Sequence, residues 1–300
     1  MASNFKHYLS LVKFSHTIFA MPFAMIGFFL GYKAVGKQVV YPDWMLLYTY
    51  MPPLLLKFLL VLVCMITARS AAMAFNRYLD RSFDAMNPRT AIREIPRGII
   101  SPDSALRFVI VNCVLFVLAA GCINSICFWL SPVALFVILF YSYTKRFTAL
   151  CHLVLGLGLS LAPIGAYLAL TGVFNWLPIL FSLAVITWVA GFDIIYAMQD
   201  VEFDASQQLH SIPVVLGKSK ALRFSSLLHV CSTLAVLGAG YYGQFHWLYW
   251  VGAAVFTGML VYQHSIVKPH DLSRVNIAFM TANGIASVVF GVLVIGSLFL

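Results

Sequence analysis

Nine apolar stretches occupy most of this chain, at roughly 16–34, 53–75, 105–122, 126–143, 149–170, 176–198, 221–241, 246–265 and 276–299. Each is close to the roughly 17–25 residues that a helix needs to cross a bilayer. Composition closes the soluble alternative. Sixty-two per cent of the 300 residues are hydrophobic and 10% are charged, against about one quarter charged in soluble domains. No core of this size needs so much apolar surface, so lipid must take the rest. The expected fold is therefore an all-α integral membrane protein, nine transmembrane helices in a single bundle, with residues 1–300 forming one domain. The net charge of +9 has no polar basic domain to carry it, which argues against nucleic acid as a partner.

The charges sort by side. With these spans, the N-terminus and the connections after the second, fourth, sixth and eighth spans hold 16 of the 19 Lys and Arg, leaving Lys33, Lys37 and Lys57 opposite. Nine of the ten acidic residues share the rich side, Asp43 being the exception. An excess of Lys and Arg marks the cytoplasmic face. The expected topology has the N-terminus inside, the C-terminus outside and the polar chemistry facing the cytoplasm, in a bacterial inner membrane. Lys13 and His16 interrupt the first 20 residues and no small-residue cleavage site stands out, so the start reads as a mature segment entering the first span.

Two short acidic stretches carry the chemistry. The first is Asn76-x-x-x-Asp80-x-x-x-Asp84 and the second Tyr196-x-x-x-Asp200-x-x-x-Asp204, offset by 120 residues. On a helix, positions i, i+4 and i+8 fall on nearly one face. Each stretch ends an even-numbered span and runs into a polar loop containing Ile-Pro (Ile95-Pro96 and Ile212-Pro213). That matched register predicts a four-helix pseudo-repeat plus one extra helix. Clustered carboxylates repel one another unless a cation offsets them. Oxygen ligands at this spacing suit Mg²⁺, which commonly bridges protein carboxylates to substrate phosphate. Arg93 and the other arginines of the first loop, with Lys145 and Arg146 in a short third connection, suit the remaining phosphate oxygens.

Arg69 and Asp193 extend the two polar stripes seven residues deeper. An ionisable group at that depth costs about 2.5–3.5 kcal/mol on insertion scales, which a functional role or an Arg69–Asp193 ion pair between helices would explain. Lys57 can snorkel outward. His152, His229 and His264 sit near span ends and read as interfacial. The six cysteines lack metal-type spacing and read as small hydrophobes in helices.

On these residues the chain resembles the UbiA superfamily of intramembrane prenyltransferases. ARSAAMAFNRYLDRSFDAMNPRTAIREIPRG is similar to that family's first signature, YSYTKRFT to its Tyr-x-x-x-Lys-Arg connection, and FDIIYAMQDVEFD to its second Asp-rich motif. Arg77 departs from the Asp that many members carry there, so no metal role is expected of it. The resemblance covers the whole chain and implies transfer of a polyprenyl group from polyprenyl diphosphate to a small aromatic acceptor within membrane lipid. It implies Asn76, Asp80, Asp84, Asp200 and Asp204 as the residues for Mg²⁺ and diphosphate, and Lys145 and Arg146 as the basic pair on the diphosphate. Asp193 or Tyr196 would orient the acceptor phenol or accept its proton; Lys13, His16 and Arg69 would meet an acceptor carboxylate. The tail of the first motif, together with Tyr-Ala-x-x-Asp in the Asp-rich motif that follows, most resembles the 4-hydroxybenzoate branch, which serves quinone biosynthesis. Other aromatic acceptors, in menaquinone routes, stay open. Of two other classes, an ion-coupled transporter lacks matching broken helices, and a CDP-alcohol phosphotransferase lacks its D-x-x-D-G-x-x-A-R pattern.

Overall fold

The computed structural model describes residues 2–12, 19–36 and 51–300. All regular elements among them are helices, apart from one isolated bridge between Lys268 and Asp271. Lys13, His16, Lys37 and Asp43 lie outside the described residues. In chain order the helices are α1 (Ala2–Leu11), α2 (Met21–Gly36), α3 (Met51–Leu79), α4 (Arg81–Met86), α5 (Pro102–Ile123) and α6 (Ser125–Thr144). There follow α7 (Cys151–Thr171), α8 (Trp176–Ala197), α9 (Val201–Ser206), α10 (Ile212–Tyr242), α11 (Trp247–Ile266) and α12 (Asn283–Leu298), the last entered through a π-helical turn at Ile277–Ala282.

Among the described residues seven helices are long and apolar enough to cross a membrane: α3, α5, α6, α7, α8 with its continuation to Ser206, α10, and α12 with its π turn. The other two expected segments are helical as well. α2 is an apolar helix of 16 residues, and α11 one of 20, its Gln263, His264 and Trp side chains keeping its hydropathy below that of the seven. Lys33 at the end of α2 donates to the Leu298 carbonyl at the end of α12, so these two ends share one face of the bundle.

Local chemistry sets the helix boundaries. Ser101 caps α5 by accepting from the Ser104 amide (3.2 Å), with Pro102 at the first position, where proline's missing donor costs nothing. Asn124 turns the chain from α5 into α6 in a single residue. Its Oδ1 accepts from the Cys127 amide (2.8 Å) while its Nδ2 donates to the Leu168 carbonyl (2.9 Å). Gly217 interrupts α10 at φ 74°, ψ 157°, a backbone state that side-chain-bearing residues avoid.

The centre of the bundle is α8, whose Phe181, Val185, Trp188 and Val189 lie in the main core with Phe23, Tyr249, Phe256 and Phe290. Lipid tails are as apolar as leucine, so helix association in a membrane depends on close packing and buried hydrogen bonds. Both are present. A Cβ on Gly27 would come within 2.1 Å of the Pro163 carbonyl, and one on Gly156 within 2.4 Å of the Ile186 carbonyl. Ser225 and Ser232 of α10 donate to the Gly191 and Ala184 carbonyls of α8 (2.7 and 2.9 Å). Trp188 Nε1 and Gln263 Nε2 converge on Asn283 Oδ1 (2.9 and 2.7 Å), locking α8 to α11 and α12. Leu55, Ile110, Leu118, Phe136, Leu234 and Val261 are exposed and face the lipid.

Gly156→Val is expected to force α7 from α8 and to cost about 1–3 kcal/mol, the usual cost of overpacking. Thermal unfolding in detergent checks this against Gly165→Val, whose Cβ would meet open space.

Candidate functional site

Three polar connections meet at one mouth of the bundle: residues 80–101, 145–150 and 198–211. The His210 amide donates to the Lys145 carbonyl (2.7 Å), joining the third to the second. Both acidic stretches bend at their middle carboxylate. Asp80 (φ −88°, ψ 6°) stands immediately before α4, and Asp200 (φ −106°, ψ 5°) immediately before α9, neither side chain capping the helix it precedes. The expected continuous stripe is therefore a helix end followed by a second short helix.

Cations hold three of the four carboxylates. Lys145 Nζ stands 2.8 Å from Asp80 Oδ2 and Arg146 Nη2 3.4 Å from Oδ1, while Asn76 Nδ2 donates to Oδ2 (3.2 Å). Arg93 Nη1 donates to both oxygens of Asp84 (2.7 and 2.9 Å). Arg89 grips Asp200 with two nitrogens, Nε at 2.9 Å and also Nη2, and its Nη1 donates to the Tyr196 hydroxyl (3.0 Å). Burial works against the Arg89 charge, but the hydrogen bonds and charge of Asp200 outweigh it and hold the guanidinium above its ordinary pKa. Asn87 Nδ2 adds a bond to Asp200 (3.2 Å). The Asp204 carboxylate has no hydrogen bond or ion pair among the described residues.

These groups line one cavity of about 640 Å³. Asn76, Asp80, Asp84, Arg93, Lys145, Asp200 and Asp204 share its wall with the deeper Arg69, Asp193 and Tyr196. Arg146 reaches the site through Asp80 and the Leu79 carbonyl (3.0 Å). Lys13 lies outside the described residues. The cavity then runs down an apolar arm past Val61, Phe116, Ile123, Val137 and Leu161. Val133 and Phe174 line it while being 58% and 56% exposed, so the arm reaches the outer surface of the bundle. An aromatic cluster also lines the cavity. Phe279, carried by the π turn, packs on Tyr196 (ring centroids 4.4 Å), Phe192 (5.5 Å) and Phe19 (5.5 Å).

The donor set is all oxygen, which suits a hard divalent ion. Among the described residues no three His, Cys, Asp or Glu form a ready-made cluster; instead Lys145 and Arg146 pair with Asp80, Arg93 with Asp84 and Arg89 with Asp200. A metal bound by these carboxylates would have to displace those cations.

For the deeper residues, one of the two open alternatives falls and one expectation is corrected. The Arg69–Asp193 ion pair does not form. Asp193 Oδ2 instead meets His152 Nδ1 at 2.7 Å, and Arg69 Nε is buried with no hydrogen-bond partner. Nor are two of the histidines interfacial: His152 is 2% exposed and faces the cavity, and His229 is 3% exposed and bonded to His264 (2.9 Å). His152 is the second residue of α7, just past the connection that carries Lys145 and Arg146, and only a spatial partner gives that position meaning. Tyr141 and Ser142 also line the cavity, and the Ser142 Oγ is buried without a partner. Their helix, α6, carries no charged residue to mark them. Arg77 pairs with Glu94 (3.0 Å), which also accepts from Ser10, a fixed structural pair in keeping with its departure from the family pattern.

Comparison with known proteins agrees on one family. The model of the UbiA prenyltransferase family matches residues 39–285. A 4-hydroxybenzoate octaprenyltransferase of Francisella tularensis subsp. novicida (strain U112) is 29% identical over 234 residues, covering 75% of this chain and 79% of its own. The apo structure of a UbiA homologue from Aeropyrum pernix K1 is 26% identical, covers 95% of this chain and 96% of its own, and superposes with a TM-score of 0.76. A UbiA homologue from Archaeoglobus fulgidus, solved with GPP and Mg²⁺, shares the fold at 20% identity, 98% and 100% coverage and a TM-score of 0.68.

Arg93→Met leaves Asp84 buried without its cation and is expected to lower the thermal midpoint in metal-free detergent. The loss is about 1–3 kcal/mol, the cost of stranding a buried hydrogen-bonding group, and added Mg²⁺ recovers part of it. A midpoint insensitive to both would show that Asp84 needs no cation.

Proposed function

Because the chain belongs to the UbiA prenyltransferase family, we propose that it transfers a polyprenyl group from its diphosphate to 4-hydroxybenzoate, releasing diphosphate and a ring proton. The reading rests on one cavity that joins a mouth of carboxylates and cations to an apolar arm reaching the lipid. A diphosphate fits the first, a long isoprenoid the second, and no water-soluble substrate needs both. The relatives named for 4-hydroxybenzoate support the acceptor, and Arg69, a buried cation on the cavity wall without a hydrogen-bond partner at Nε, suits its carboxylate. Residues 1–300 act as one transmembrane domain of nine spanning helices. The matched breaks at Asp80 and Asp200 support the four-helix pseudo-repeat.

Asn76, Asp80, Asp84, Asp200 and Asp204 would hold Mg²⁺, as the oxygen donors and the free Asp204 carboxylate favour. When bound, Mg²⁺ supplies charge that stabilises the leaving diphosphate. Lys145, Arg146, Arg89 and Arg93 then turn to the phosphate oxygens, where bidentate guanidinium pairing is strong. Phe19, Phe192, Tyr196 and Phe279 offer ring faces to the allylic cation, a contact worth about 0.5–2 kcal/mol apiece, and keep water from quenching it. Lys13 remains a proposed contact of the acceptor. The protein sits in a bacterial inner membrane with the N-terminus and site cytoplasmic and the C-terminus outside, serving ubiquinone biosynthesis, or a menaquinone route if another aromatic acid is the acceptor.

Purified protein with Mg²⁺, labelled polyprenyl diphosphate and 4-hydroxybenzoate is expected to give prenylated product. EDTA abolishes it, and Asp80→Ala lowers it by roughly a hundredfold or more, the scale of losing an electrostatic stabiliser. Absence of product alongside metal-dependent diphosphate binding would move the acceptor to another aromatic acid. Arg69→Met is expected to raise KM for the acceptor roughly tenfold, about 1.4 kcal/mol, with diphosphate binding unchanged. An unchanged acceptor KM would remove Arg69 from that role.

A further inference from the structure

The proposed transfer leaves one proton to be taken up inside a cavity whose carboxylates are mostly spoken for. As prenyl C1 bonds to the ring, the C1–O bond breaks and its electron pair leaves with the diphosphate. The ring carbon then carries both the new substituent and its old hydrogen, and loss of that proton returns the C–H electron pair to the ring. Asp80, Asp84 and Asp200 face cations, and Asp204 belongs to the diphosphate end. The Tyr196 hydroxyl already accepts from Arg89, so it is better placed to donate than to take a proton. Asp193 remains.

Its geometry is unusual for a carboxylate within a spanning helix. Asp193 Oδ2 is held by His152 Nδ1 at 2.7 Å, and the other oxygen has no partner among the described residues. The carboxylate is 24% exposed while the imidazole is 3% exposed. Both line the cavity. The Ile212 amide, at the start of α10, donates to His152 Nε2 at 3.4 Å, which makes Nε2 the acceptor and leaves the ring proton on Nδ1. A neutral imidazole with its proton on Nδ1 donates to Asp193, fixes one oxygen and turns the other towards the cavity.

We propose that His152 is a positioning residue that orients Asp193 as the base for the ring proton; this rests on the prenyl-transfer reading above. The proton passes from the ring carbon to Asp193 and His152 keeps its own. Because Ile212 follows the loop that carries Asp204, the backbone that frames the diphosphate end also sets the imidazole.

The test uses the full chain in detergent with Mg²⁺, labelled polyprenyl diphosphate and ring-deuterated or ordinary 4-hydroxybenzoate. His152→Ala is expected to lower kcat roughly tenfold or more, on the scale of general-base contributions, with KM for the diphosphate unchanged and a larger deuterium isotope effect than wild type. His152→Gln, whose amide can donate to Asp193 and accept from Ile212, recovers most of the rate. In an Asp193→Asn background, His152→Ala costs nothing further. His152→Met, of similar bulk and without an N–H, serves in place of Ala if that variant does not fold. Equal losses in both backgrounds, no recovery by Gln, or an unchanged isotope effect would overturn the assignment while leaving prenyl transfer intact. No turnover by wild type with any aromatic acid would remove both.

Discussion

A charge placed at the mouth of a membrane bundle must find a counter-charge, and the polar half of this structure follows from that requirement. Asp80, Asp84, Asp200 and Glu94 each meet at least one cation: Lys145 and Arg146, Arg93, Arg89, and Arg77. A buried ion pair is a poor source of net stability, since desolvation takes back most of the attraction. Its effect here is on shape. Arg93 reaches back nine residues to Asp84, and Arg89 reaches across to the second stretch, so the first loop is folded over the cavity by its own arginines. The high basic charge of the chain is thus concentrated where acidic groups would otherwise stand unpaired.

Beneath this polar cap, α8 gives the site its rigidity. Its buried face packs Trp188 among Phe23, Phe192 and Phe256, and serines of α10 bond to its carbonyls. Such contacts resist rotation about the helix axis. Asp193, Tyr196 and Asp200 leave that helix in succession, so their directions into the cavity are set by packing one and two turns away. The π turn at Ile277–Ala282 has a comparable effect: the extra residue in its turn, a common device at functional sites, brings Phe279 onto Tyr196.

The helical class was legible because the apolar stretches are long and the charges between them sort to one side. The mouth was legible because two acidic stretches repeat at one register. What the sequence withheld is pairing. An ion pair was one of two readings open for the deep Arg69 and Asp193, yet Asp193 is taken by His152, which sits on another helix and in a span whose composition gave it no distinction. The bends at Asp80 and Asp200 were hidden too, because a helix that kinks while keeping its i to i−4 bonds, as the Asp84 and Asp80 amides do, leaves its side-chain spacing unchanged. α2 and α11 fall outside the seven for different reasons: one is short, and the other carries Gln263, whose buried bond to Asn283 is a packing feature that a composition window counts as polarity.

On the proposed reading, the cations that close the mouth are also those that make it work. A metal alone would compete with Arg89, Arg93 and Lys145 for carboxylates and strand three cations in a poorly solvated space, which is costly. A diphosphate alone would compete with the carboxylates for the same cations and strand the acids. Arriving together, the two offer each group a new partner: metal to carboxylate, guanidinium and ammonium to phosphate. The site therefore favours the metal–diphosphate pair over either component, because only the pair gives new partners both to the carboxylates and to the Arg89 and Arg93 that hold them.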